Sequence, residues 1–194
     1  MTRLALALAL VPAASVAAAT GPLHANRPDI VFGGGVVLSG KFDHGLADQS
    51  VVLLAKQHGE TSYSSVALLA TKAGGRWSSR VMPTIETSYE ATSLAEHSPA
   101  LAIKVRPRVT LARSRGRFVA RVLSAASYEG HFVLLQRRGA HGWKTIRRIK
   151  LSQRPRKFDV KLPHGLSRLR VFLPRAQAGA GYLPGFSKTV LVRR

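Results

Sequence analysis

Few residues in this 194-residue chain have the type and spacing that chemistry requires. The absence of cysteine removes disulfides, thiolate nucleophiles, lipid-modified cysteine anchors and cysteine zinc sites together. Asp43, His44 and Asp48 share a turn-rich loop and offer oxygen and nitrogen donors to a cation, but loop polarity accounts for them and no metal is expected. Ser62, Ser64 and Ser65 lie near His58 and Glu60 without a nucleophile elbow or oxyanion glycines, so they read as turn chemistry. Gly179-Ala180-Gly181 joins strands and opens no helix, so its glycines suit a tight inserted hairpin rather than a phosphate. His24, His97, His131, His141 and His164 are scattered, with no i, i+4 pair to share a metal. From residue 106 onward only Glu129 and Asp159 carry carboxylates, too few for paired acid–base work. No catalytic residue, cofactor or small-molecule substrate is expected, and the chain reads as a non-enzyme.

The remaining chemistry is cationic. Residues 27–105 hold 7 Lys/Arg against 7 Asp/Glu, whereas residues 106–194 hold 22 against 2, a net +20. Such a field draws in polyanions and makes their binding fall with salt. The candidate polyanion-binding residues are Arg113, Arg115, Arg117 and Arg121 on one hairpin, Arg137, Arg138, Arg147, Arg148 and Lys150 on the next, and Arg154 and Arg156 after it. The ligands this surface would meet outside a cell are an anionic wall or extracellular polymer, an anionic lipid surface, or extracellular DNA. Trp143 and Tyr182 are the stacking platforms such a site would use, while Phe118, Phe132 and Phe158 are expected in the core, and no nucleic-acid-binding motif is present. The alternative is a protein–protein adhesion or assembly module that uses loops or an edge strand, its basic face serving only solubility.

The elements that must position these residues are strands. Met1-Thr2-Arg3, the apolar Leu4–Val11 run and Ala17-Ala18-Ala19 have the three parts of a secretory signal, predicting export and a secreted or wall-associated protein. Leu183-Pro184-Gly185-Phe186-Ser187 lacks the threonine of a wall-sorting signal, so covalent anchoring is not expected. The rest alternates short Val/Leu/Ile/aromatic runs with Gly, Pro, Ser and Asp clusters, an all-β signature of seven short strands per half. Lys157–Leu162 predicts a strand with Phe158, Val160 and Leu162 inward. The halves also match each other at a spacing of 80: Val31 with Leu111, Leu54 with Leu134, Val66 with Ile146, Pro83 with Pro163, and Tyr89 with Leu169. The spacing grows to 88 between Ala102 and Val190, which predicts an insertion over Arg175–Phe186 in the last hairpin. The expected plan is a signal peptide over 1–19, a short linker over 20–27, a near-neutral β-sandwich over 28–106 and a strongly basic one over 107–194.

Particular runs carry a likeness. Phe32–Gly40, Val51–Leu54, Thr71–Trp77, Thr87–Ala91, Ser98–Ala100 and Val105–Pro107 in the first half, with Val133–Arg138, Trp143 and Gly179–Ser187 in the second, follow one another as strands and turns. In these the chain resembles secreted, cysteine-free tandem immunoglobulin-like proteins of the actinobacterial type, over about residues 28–194. The resemblance implies two tandem immunoglobulin-like or fibronectin-like sandwiches and secretion, and implies no reaction. The antibody-type Cys–Trp–Cys frame is missing.

Overall fold

The computed structural model describes residues 21–94, 96–154 and 157–194; the expected signal segment 1–19 and the candidate Arg156 lie outside the described residues. The described residues are nearly all β, 56% strand and 2% helix. In the first half β1 (Leu23–Ala25), β3 (Val36–Lys41) and β6 (Arg76–Val81) form one antiparallel sheet. The other runs in the order β2 (Asp29–Val31), β9 (Leu101–Arg106), β7 (Thr87–Ser93), β4 (Ser50–Gln57) and β5 (Ser64–Ala70), with β8 (Glu96–His97) also on β7. β2 pairs parallel to β9. Residues 23–25, expected within a linker, instead join this first sandwich, because Leu23 is buried and β1 pairs with β3.

In the second half β10 (Arg108–Ser114) pairs with β11 (Arg117–Leu123). The facing sheet runs β13 (Gly142–Lys150), β12 (Phe132–Gly139), β14 (Leu166–Leu173), and ends on β15 (Gly185–Phe186) and β16 (Val190–Arg193), both on the same side of β14. Both halves are sandwiches with an immunoglobulin-like strand order. Val36, Leu38, Val51, Leu53 and Ile103 fill the first core, and Val133, Leu135, Leu169, Val171 and Leu173 the second, all buried. Each contributes on the order of 1.5–3 kcal/mol by leaving water. Gly40 pairs with Trp77, and a Cβ there would lie 2.8 Å from the indole Nε1, so only glycine lets the buried Trp77 cross β3.

Hydrogen-bond register shows which residues are equivalent. The β4–β5 pairing steps from Leu53↔Ala67 to Leu54↔Ser65, and β12–β13 from Leu135↔Arg147 to Gln136↔Thr145, so Val66 and Ile146 are the extra residues of matching bulges. Their partners on the inner strand are Leu53 and Leu135, which is a spacing of 82. The sequence match of Leu54 with Leu134 is therefore two residues out of register, because the β12–β13 hairpin is two residues shorter than β4–β5. Val31 and Leu111 are not equivalent either: Val31 is 47% exposed on a strand parallel to β9, whereas Leu111 is buried opposite Ala120. The last strand repeats at 89 rather than 88, as His97 and Phe186 pair with Thr92 and Phe172, and Ile103 and Val192 with Thr87 and Ser167. In each half a serine mends the break in that strand. Ser98 Oγ accepts from Ala91 N–H at 2.8 Å, and Ser187 Oγ from Val171 N–H at 2.9 Å.

The expected strand at Lys157–Leu162 is reduced to a single bridge, Phe118↔Phe158. Phe158 and Leu162 are buried as the alternation requires, but arginine side chains stand in for a neighbouring strand. Arg117 Nη2 donates to Lys157 O at 3.2 Å, Arg147 Nη1 to Asp159 O at 2.7 Å, and Arg194 Nη1 to Leu162 O at 2.8 Å. A guanidinium satisfies a carbonyl as well as an amide does, and it ends pairing rather than propagating it.

The nine extra residues in the second half lie between β14 and β15 and form a helical turn, α1 (Arg175–Ala178), then Gly179–Pro184. This insert reaches the first half. Glu86 N–H donates to Gly181 O at 3.0 Å, Leu183 N–H to Val105 O at 2.9 Å, and Arg106 Nη1 to Pro184 O at 3.1 Å while its Nε pairs with Asp29 at 2.6 Å. Arg108 Nη2 adds a bond to Phe32 O at 2.9 Å. Only Pro107, itself buried, separates β9 from β10, so strand end, insert and guanidinium pair hold the halves together at one seam.

Candidate anion-binding face

Alternation along β14 turns Ser167, Leu169, Val171 and Leu173 inward and leaves Arg168, Arg170 and Phe172 on the outer face. Register places Gln136 beside Arg170, Leu134 beside Phe172, and Phe186 on the far side of Phe172. On the other flank Trp143 opposes Arg138, and Lys150 opposes Phe132. The result is a row of guanidiniums and rings across four strands. The Arg170 guanidinium lies 4.2 Å from the Trp143 centroid and 4.3 Å from that of Phe186, and Phe186 stacks on Phe172 at 4.5 Å. Arg138 lies 5.8 Å from the same indole, and Arg148 sits 3.3 Å over Phe132.

Ring faces carry negative charge density, so each contact attracts the cation and fixes its orientation. Arg170 is held further by Nε donating to Gln136 Oε1 at 2.8 Å. Burial between the rings lowers its pKa and the nearby Arg138 cation adds to the fall, yet a guanidinium stays charged at neutral pH. Among the described residues the ion pairs are Arg106–Asp29 and Arg117–Asp159, so no carboxylate neutralises Arg138, Arg148, Arg168 or Arg170. An oriented cation with unused N–H donors suits the planar, bidentate recognition of phosphate, sulfate or carboxylate oxygens.

The sequence-predicted residues do not form one patch. Arg138, Arg148 and Lys150 share this outer face. Arg117 and Arg121 point outward from the opposite sheet, Arg117 being engaged with Asp159 and Lys157 O. Arg113 stacks on Phe118 and Arg147 on Phe158, at 6.0 and 5.5 Å, on the core side of their strands. Arg137 opposes the inward Leu169, and Arg115 sits in the β10–β11 turn at φ 50°. Arg121 and Arg154 line an open cleft of about 490 Å³ whose carboxylate, Glu129, accepts from Gln153 Nε2 at 2.9 Å. Tyr182 is buried and is no platform, whereas Phe132, expected in the core, is half-buried on the outer face. Arg168, Arg170, Phe172 and Phe186 were missed; the Arg168-Leu169-Arg170-Val171-Phe172 alternation is the signal that places the first three.

The polar loops of the first half serve the fold. Glu96, buried, accepts from Asp43 N–H at 2.8 Å and His44 N–H at 2.9 Å, and the His44 ring contacts Ser93 Oγ and Leu46 N–H. Among the described residues no three His, Asp or Glu side chains are placed to hold a metal ion. Gln57 N–H donates to Glu60, Ser64 Oγ to Ala55 O, and His58 packs on Gly181, so the serine, histidine and glutamate there form a turn. No helix of the described residues is long and apolar enough to cross a membrane.

No protein-family profile and no curated protein matches the chain. Among solved structures it is similar to a cytokine receptor complex, at 13% identity and a TM-score of 0.40, over 88% of this chain and 95% of that one. It is also similar to the human OSCAR ligand-binding domain, at 14% identity and a TM-score of 0.31, over 89% of this chain and 98% of that one. At such scores the strand order of the chain itself, not superposition, assigns the fold.

Proposed function

We propose that this chain is an exported, non-enzymatic binding module that associates through its second half with an anionic polymer of the cell envelope or its surroundings. The observation that carries the reading is the outer face of β12–β14, where Arg138, Arg148, Arg168 and Arg170 lie among Trp143, Phe132, Phe172 and Phe186 with no acidic partner. Long-range attraction comes from the +20 charge of residues 106–194, and the ring-held guanidiniums supply local contacts. Export rests on the Met1–Ala19 pattern and on the resemblance to secreted bacterial tandem modules. The near-neutral first half acts as the support.

The test is binding of the full chain to heparin and to single-stranded DNA across salt. Arg138→Ala/Arg148→Ala should reduce the slope of log affinity against log salt by about 2, one per lost contact. Arg121→Ala, on the opposite sheet, should leave local contacts intact. Equal losses from the two faces, or no binding at low salt, sink the proposal.

A further inference from the structure

β5 and β13 occupy equivalent edges, with the same bulge at Val66 and Ile146, yet they differ in how they meet water. β13 carries Lys144, Arg147, Arg148 and Lys150. β5 reads Ser-Ser-Val-Ala-Leu-Leu-Ala, with no charge and no proline, and its Val66 and Leu68 are 51% and 71% exposed. Leu68 shares the outer face with its half-buried β4 partner Val52, and half-buried Leu54 lies two residues along on that face, opposite Ser65. A charged edge repels another strand, whereas an uncharged, apolar edge with unpaired backbone groups is a template for one.

We propose that the chain self-associates through this edge, β5 pairing antiparallel with β5 of a second copy about a two-fold axis at Ala67. That register sets Val66 of one copy against Leu68 of the other, twice, and brings the Val52–Leu54 surfaces alongside. Charge selects the occupant. In a two-fold dimer a contact through residues 106–194 presses two +20 surfaces together, while residues 27–105 are balanced at 7 against 7, so two copies meet symmetrically at low electrostatic cost through the first half. β5 is an edge strand of that half with no charged residue, and a two-fold axis at Ala67 sets no like charges against each other, with Ser65 facing Leu69 and Ser64 facing Ala70 beyond the Val66–Leu68 pairs. The dimer directs its two cationic halves outward.

Sedimentation velocity on the full chain tests this. Wild type should dimerise with a midpoint on the order of 10–100 μM, as fits a small interface, and should hold or strengthen as salt rises, because salt screens the residual repulsion between copies. Leu68→Lys, which gives β5 the charge that Arg148 gives β13, should weaken dimerisation about a hundredfold, with two buried charges per dimer. The unfolding midpoint of the monomer should not move, since Leu68 is exposed. Leu191→Lys, at an exposed leucine of β16, should leave the dimer unchanged. A wild-type monomer at every salt and concentration up to about 500 μM, or a dimer indifferent to Leu68→Lys, overturns the inference.

Discussion

Gly181→Ala should loosen the seam between the halves. Gly181 has φ +72°, where an alanine costs about 1 kcal/mol in backbone strain. A Cβ would also lie 2.8 Å from His58 Cγ and from Ile85 Cγ1, well inside van der Waals contact. The His58 ring can swing into solvent, but half-buried Ile85 has less room. Relief therefore requires the insert to back away, which breaks the 3.0 Å bond from Glu86 N–H to Gly181 O, worth about 1 kcal/mol. The sum is about 2–3 kcal/mol with some residual overpacking. Gly116→Ala is the control: its φ is +80°, but an added Cβ meets nothing within 4 Å, so only the backbone cost of about 1 kcal/mol applies. Urea unfolding gives both values, and calorimetry should resolve two transitions in Gly181→Ala where the wild type gives one. Equal destabilisation by the two variants would refute the idea that the insert clamps the halves together.

Two further tests separate structural from available groups. Arg147→Met loses the 2.7 Å bond to Asp159 O and the contact with Phe158, so it should cost about 1.5 kcal/mol and lower Tm by about 3–6 °C. Arg115→Met, with the same loss of charge in an exposed turn, should leave Tm within about 1 °C, and equal shifts from both would contradict a structural role for Arg147. Burial pushes the Tyr89 and Tyr128 phenols up to about 12, from about 10 when unfolded. The fold favours the protonated phenol, so this stability is complete below pH ~10 and is lost as pH rises toward ~12. Unfolding free energies at pH 9–12 should fall less steeply in Tyr89→Phe than in wild type, and a superimposable profile would contradict the assignment.

The strands were legible in the sequence because strand signals are local. Val36–Lys41 and Thr87–Ser93 form strands along the short runs that the sequence shows, since alternating side chains and bounding turn residues depend on neighbours one or two positions away. The repeat was legible for the same reason, within small errors of spacing that only hydrogen-bond register could correct. Lys157–Leu162 alternates correctly and still forms no ladder, because three arginines occupy its carbonyls. The roles of the arginines were decided by tertiary structure alone. Composition counts 22 cations after residue 105 and treats them alike, but Arg106 meets Asp29, Arg147 holds Asp159 O, and Arg170 lies between Trp143 and Phe186. A charge is a property of one residue, whereas its availability to a ligand depends on groups that folding brings within 3–6 Å from distant parts of the chain.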